Sequence, residues 1–201
     1  AYLTGFSALD RYYGLNDPGL VFLATDAGLI ELCSLFEGAG FPGNYTADVA
    51  VMDEQNDTCC LIRSVDHEAD MHGSLKYTSF SYDCLTNAYI DPKDIYWDLR
   101  KPGELEIPAP GSMSMTRGWA VAADAAVLAS RYSFSASRET ISHLASHGER
   151  CALRLDRMEQ HMLLRQVLLS RDPASGLRIL MECGFIAKHW PALADMRGIS
   201  Q

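Results

Sequence analysis

The sequence predicts an α+β protein: a mixed-sheet head over residues 1–107, then an all-helical segment over 112–201. Three observations carry this expectation. Gly19-Leu20-Val21-Phe22-Leu23-Ala24 is a continuous apolar run of strand length, which marks a buried strand. Short strand-like runs elsewhere in the first half are parted by polar turn residues. Beyond the punctuated stretch Ile107-Pro108-Ala109-Pro110-Gly111-Ser112, everything reads as helix.

The elements follow in order. Tyr2 to Phe6 is a short strand, and the apolar run 19–24 is the next. Asp26 is placed to cap a helix running to about Glu37, with Leu29, Ile30, Cys33, Leu35 and Phe36 on its apolar side. Gly38, Gly40, Pro42 and Gly43 end it. Ala47–Met52 and Thr58–Val65 are strands flanking the polar run Asp53-Glu54-Gln55-Asn56-Asp57, the signature of a hairpin. Thr78–Cys84 and Ala88–Ile90 form a second pair, turning at Thr86-Asn87. In the second half, Trp119–Ala129 is an apolar, alanine-rich helix. Ser137 caps a helix to about His147, which Gly148 stops. A longer helix spans about Cys151 to Leu169. Asp172-Pro173 supplies a cap and first turn for a fourth helix, closed at Gly184.

The chain carries a net charge of −9, unevenly spread. Through Pro110 there are 6 Lys and Arg against 18 Asp and Glu, a balance of −12. From Gly111 onward there are 11 against 8, a balance of +3. The first part therefore repels a phosphate backbone, whereas the second tolerates one. The six cysteines (Cys33, Cys59, Cys60, Cys84, Cys151 and Cys183) form no CxxC pair and read as reduced thiols of a cytoplasmic protein. No apolar run approaches the roughly 20 residues of a membrane span. No charged-then-apolar leader opens the chain, so no signal peptide is expected.

Several stretches share their order and spacing with a known family. They are Tyr2-Leu3-Thr4-Gly5-Phe6-Ser7-Ala8-Leu9-Asp10, then Tyr13-Gly14, then Leu20-Val21-Phe22-Leu23-Ala24-Thr25-Asp26-Ala27. Further on come Ile90-Asp91-Pro92, Asp98-Leu99-Arg100 and Ala129-Ser130-Arg131-Tyr132-Ser133-Phe134. Last are Asp156-Arg157-Met158 and the stretch from Asp172-Pro173 to Pro191-Ala192-Leu193. In this the chain resembles the head and neck of class II tRNA nucleotidyltransferases (CCA-adding enzymes) and bacterial poly(A) polymerases. The resemblance implies a nucleotidyltransferase-like head and a helical neck. In the family, nucleotidyl transfer uses divalent metal ions held by two aspartates spaced by two on one strand, so that both reach the same face.

The departures from that pattern bear on activity. The positions of the two metal-binding aspartates are Leu20 and Phe22, neither of which offers a ligand atom. The second glycine of the family's opening phosphate turn is Phe6, and the arginine before Asp10 is Leu9. The family's base-reading motif, Glu-Asp-x-x-Arg on its first neck helix, falls at Arg117-Gly118-Trp119-Ala120-Val121, and its arginine-rich continuation is replaced by Asp124 and Val127. The family's Arg-Arg-Asp falls near His72-Gly73-Ser74. These losses together are the pattern of a pseudoenzyme that binds protein or RNA, with no cofactor and no membrane. Two alternatives stand beside it. One is an active RNA 3′-end transferase using magnesium and displaced acids, for which Asp10 and Asp17 are the residual candidates. The other is a domain that senses nucleotides without chemistry.

Other constellations have simpler accounts. Asp66-His67-Glu68-Ala69-Asp70-Met71-His72 is rich in potential metal ligands but reads as a solvated loop. His143 and His147 share a helix face and could hold zinc with a third ligand, but no glutamate follows His143 in the metalloprotease manner, and the pair reads as surface residues. Asp26 is a cap before it is a ligand. For an RNA partner the candidate contacts are Arg131, Arg154 and Arg157. The alternative there is an ordinary solvated face, with Glu149, Asp156 and Glu159 pairing to the arginines. The acidity of the head favours a protein over RNA as its partner.

Overall fold

The computed structural model describes residues 1–15, 20–35, 49–53, 58–65, 75–108, 118–151 and 155–196. The chain divides into two units, Ala1–Trp97 and Asp98–Gln201.

The first unit is built on a six-stranded mixed sheet. Its strands are β1 (Tyr2–Thr4), β2 (Leu20–Thr25), β3 (Val49–Asp53), β4 (Thr58–Ser64), β5 (Ser81–Asp83) and β6 (Ala88–Ile90), in the order β3-β4-β2-β1-β5-β6. The apolar run read as a buried strand is β2, and it lies inside the sheet. It pairs in parallel with β4, from Leu20↔Cys59 to Thr25↔Ser64, and antiparallel with β1 through Leu3↔Leu23. The expected hairpins are present: β3 pairs antiparallel with β4 and β5 with β6. Asn87, at φ 55°, takes the left-handed turn position between β5 and β6, which asparagine tolerates well. Only Ser81–Asp83 of the expected strand 78–84 is extended, because Lys76–Ser79 winds into a single 3-10 turn.

Two expectations in this unit need correction. The chain does not stay extended to Phe6. Gly5, at φ 54°, breaks β1 and opens helix α1 (Gly5–Tyr13). The helix buries Phe6, Ala8 and Leu9 and ends at Gly14 in the left-handed region. There the Leu15 N–H reaches the Asp10 carbonyl (2.9 Å) and the Gly14 N–H reaches Arg11 (3.3 Å), a Schellman closure. Asp26 is not a helix cap either. Helix α2 spans Leu29–Leu35, so Asp26 lies in the bend ahead of it, where the Thr25 hydroxyl accepts the Ala27 N–H (3.2 Å). Leu32 of α2 packs on Leu23, Val51 and Ile62. Helix α3 (Tyr96–Arg100) begins at the end of this unit, and Asp91 caps its entry. One Asp91 carboxylate oxygen accepts the Ile95 N–H and the other the Tyr96 N–H, each at 2.9 Å.

The second unit is helical as expected. It contains α4 (Gly118–Tyr132), α5 (Arg138–Arg150), α6 (Arg157–Leu168), α7 (Pro173–Glu182), α8 (Phe185–His189) and α9 (Pro191–Asp195). Helix α4 is its centre: Val121, Ala122, Ala125, Ala126, Val127, Leu128 and Ala129 are all buried, as in a helix surrounded by others. Its small residues admit close neighbours. A Cβ on Gly176 of α7 would lie 2.8 Å from the Ala126 carbonyl oxygen, so α7 lies almost backbone to backbone on α4.

Ser137 and Asp172 cap α5 and α7 as read from the sequence. Gly148 does not stop α5, which continues to Arg150, because the glycine is needed where Trp119 packs rather than as a terminator. The helix expected from Cys151 begins instead at Arg157, where Asp156 and Glu159 form a reciprocal capping box (2.8 and 2.7 Å). Residues 98–107, read as the end of the head, group with the helices. Their strand-like segment pairs with Ser135 through Leu105 N–H and Ser135 N–H bonds of 2.8 Å each. No helix among the described residues is long and apolar enough to cross a membrane.

Candidate functional site

The two positions that the resemblance assigns to metal-binding carboxylates lie on β2. Leu20 is paired with Cys59 and Phe22 with Leu61, so the strand's alternation sends both positions to one face of the sheet. Leu23 points the other way, against Leu32 of α2. Helix α1 lies on the Leu23 face as well, because its Arg11 and Tyr12 meet Tyr82 and Tyr89, and Tyr82 pairs with Leu3 beside Leu23. The strand positions 20 and 22 therefore face away from both helices, and Phe22 is half-buried there.

Around β2 the opening turn is reinforced by a side chain. Ser7, in the first turn of α1, accepts the Phe22 N–H through its hydroxyl at 2.8 Å. That bond ties α1 to β2 just past the last β1–β2 pair, Leu3↔Leu23. Phe6 and Leu9, which the resemblance sets against a glycine and an arginine, are both buried and contribute to the core. Asp10 is buried on α1. Asp17 and residues 66–72 lie outside the described residues.

A magnesium ion requires oxygen donors, and a phenylalanine at the second carboxylate position supplies none. Among the described residues, no three His, Cys, Asp or Glu side chains converge as a metal site. His147 is occupied structurally: its buried ring bonds the Pro108 carbonyl through Nε2 at 2.8 Å, so that nitrogen carries the proton.

In the helical unit, the described part of the stretch that the resemblance sets against the family's base reader, Trp119 to Val121, supplies packing. Trp119 and Val121 are buried, with the Trp119 indole edge-on to Phe185 at 5.6 Å. The three candidate arginines are not brought together. Arg131 is buried near the end of α4, Arg157 is exposed at the start of α6, and Arg154 lies outside the described residues. Burial of Arg131 removes most of its guanidinium from any surface contact.

One group was missed in the sequence. Tyr12, Phe80, Tyr82, Tyr89 and Tyr96 form a connected array of rings, with Arg11 over Tyr82. Burial pushes the Tyr13 phenol well above its ordinary value, and Tyr89 shifts the same way, so both stay neutral. The local signal was the run Arg11-Tyr12-Tyr13. The remaining rings arrive from residues about 70 or more positions away, as with the Arg11–Tyr82 bond, whose partners are 71 apart.

No family model matches the chain, and no curated protein sequence matches it. Solved structures do. A CCA-adding enzyme in complex with ATP shares its fold at a TM-score of 0.58 and 15% identity, over 94% of this chain and 48% of that one. The Thermotoga maritima CCA-adding enzyme complexed with tRNA gives 0.56 and 16%, over 94% of this chain and 48% of its own. A tRNA nucleotidyltransferase bound to a primer tRNA and an incoming ATP analog gives 0.55 and 15%, over 100% and 60%. The chain thus spans 48% of the length of the first of these neighbours, and what it shares with them is the nucleotidyltransferase-like α+β fold.

Proposed function

We propose that this chain is a nucleotidyltransferase-like protein that has lost nucleotidyl transfer and serves as a binding module, with a protein as its partner in preference to RNA. The observation that carries this reading is the pair Leu20 and Phe22, at strand positions of β2 that share one face, paired with Cys59 and Leu61 of β4. Carboxylates at that spacing would hold divalent ions; hydrocarbon side chains there cannot. The burial of Phe6 and Leu9 supports the reading, since both fill core where the related fold has a phosphate turn. The neighbours' complexes with ATP and tRNA describe those proteins. For this chain, the −12 balance through Pro110 disfavours a phosphate backbone at the head.

The test is a 3′-end extension assay on tRNA lacking its CCA end and on oligo(A), with labelled ATP or CTP and either magnesium or manganese. No product is expected. Extension abolished by Asp10→Ala or Asp17→Ala would establish a rebuilt metal site and overturn the proposal. Heat on calorimetric titration with ATP, CTP or GTP, without product, would instead favour nucleotide sensing.

A further inference from the structure

The aromatic array of the first unit reaches the surface. Tyr12 is its hub, edge-on to Phe80, Tyr89 and Tyr96 at 5.7 Å each. Phe80 is fully buried and anchors it, with Tyr89 stacked on Phe80 at 5.2 Å. The outer rim is open: Tyr89 is 39% and Tyr96 43% exposed. A purely structural cluster would gain by covering these rings, since aromatic burial is among the largest single contributions to a core.

The array already holds one cation of the chain's own. The Arg11 guanidinium lies 4.0 Å from the centre of the Tyr82 ring, and its Nη2 donates to the Tyr82 hydroxyl at 2.7 Å. That hydroxyl in turn donates to Asn87 Oδ1 at 2.7 Å. On the segment that carries the rim, Asp83, Asp91 and Asp94 stand against Lys93, and Arg11 is a second cation at the array, so acids outnumber bases three to two. A phosphate backbone is repelled by such a surface, while a basic peptide is drawn to it.

We propose that the Tyr89–Tyr96 rim is a docking surface for an arginine-bearing segment of a basic protein partner, whose guanidinium groups lie over the exposed rings. The proposal rests on the binding-module reading above and names the partner's chemistry. Arginine is specified over lysine because its planar, weakly hydrated cation stacks on aromatic faces.

The test is fluorescence anisotropy with the full chain and three labelled probes: an alternating arginine–glycine peptide, its lysine–glycine counterpart and oligo(A). The arginine peptide is expected to bind about tenfold tighter than the lysine peptide, and Y89A/Y96A to weaken it about tenfold, the scale of one or two cation–π contacts. Y89F/Y96F, which keeps the rings, should bind as the native chain does. Circular dichroism checks folding; should Y89A/Y96A unfold, Tyr96→Ser at the exposed edge decides the matter with the same peptides. Equal affinity for the two peptides, unchanged binding by the folded ring-deleted variant, or preference for oligo(A) overturns the proposal. The extension assay fails independently: a nucleotide product refutes the non-catalytic reading whatever the peptides do, and loss of the arginine preference leaves that assay untouched.

Discussion

Gly148 shows how one residue type answers to a distant ring. A Cβ at this position would meet three carbons of the Trp119 ring, two of them at 2.5 Å, closer than atoms pack. In an exposed helix, replacing glycine by alanine gains up to about 1 kcal/mol of helix propensity. Here the overlap opposes it, and overpacking a filled core costs about 1–3 kcal/mol. Trp119 has little room to yield, being edge-on to Phe185 and to His189 at 5.1 Å. Gly148→Ala is therefore expected to lower the thermal midpoint despite the better helix former. Gly103→Ala, where an added Cβ meets nothing within 4 Å, should leave it nearly unchanged. Equal midpoints for the two variants would show that Trp119 moves aside.

The helices of the second unit are set by their caps. Ser137 accepts the Thr140 N–H through its hydroxyl at 3.2 Å, and Asp156 accepts the Glu159 N–H at 2.8 Å. Each satisfies one of the amide donors that a helix start leaves without an intrahelical partner. Ser137→Ala and Asp156→Ala are each expected to cost about 1 kcal/mol, read as a lower urea midpoint at an unchanged slope. Asp156→Asn, which keeps an acceptor oxygen, should recover most of the loss. A null effect of Asp156→Ala would mean that Glu159, whose carboxylate accepts the Asp156 N–H at 2.7 Å, holds the turn alone.

Across the molecule, several carboxylates couple the fold to pH. Asp83, Glu104 and Asp172 are each held below their ordinary values, chiefly by side-chain hydrogen bonds: from Thr86 to Asp83, from Ser137 and Thr140 to Glu104, and from Ser175 to Asp172. A carboxylate whose folded value is depressed contributes stability above its unfolded value, and that contribution is lost as pH falls through the folded one. Glu159 runs the other way. Burial raises it, so its contribution is complete below its ordinary 4.5 and is lost as pH rises through the higher folded value. With three groups against one, thermal stability is expected to fall as the solution is acidified below about 4. A midpoint that rises on acidification would contradict this.

Much of the fold is legible locally. The apolar run over Leu20–Ala24, the turn at Thr86-Asn87, and Ser137 and Asp172-Pro173 as helix starts are signals confined to a few neighbours, and the structure uses each of them. Helix α1 was less legible, because Tyr2-Leu3-Thr4-Gly5-Phe6 has the composition of a strand. Only the tertiary structure, by placing Phe6, Ala8 and Leu9 in the core, makes a helix from Gly5 the better use of them. Gly148 is ambiguous for the same reason, since a helix stop and a close packing site call for the same residue.

At the candidate site, the sequence alone determined that Leu20 and Phe22 carry no ligand atoms, because side-chain chemistry needs no coordinates. It also determined the acidity of the head and the helical nature of the second half. Which face of the sheet those two positions take, the burial of Arg131, and the ring array around Tyr12 were decided only by the tertiary structure. Strand register, helix approach and contacts between residues such as Arg11 and Tyr82 depend on packing among segments far apart in the chain, which no local pattern specifies.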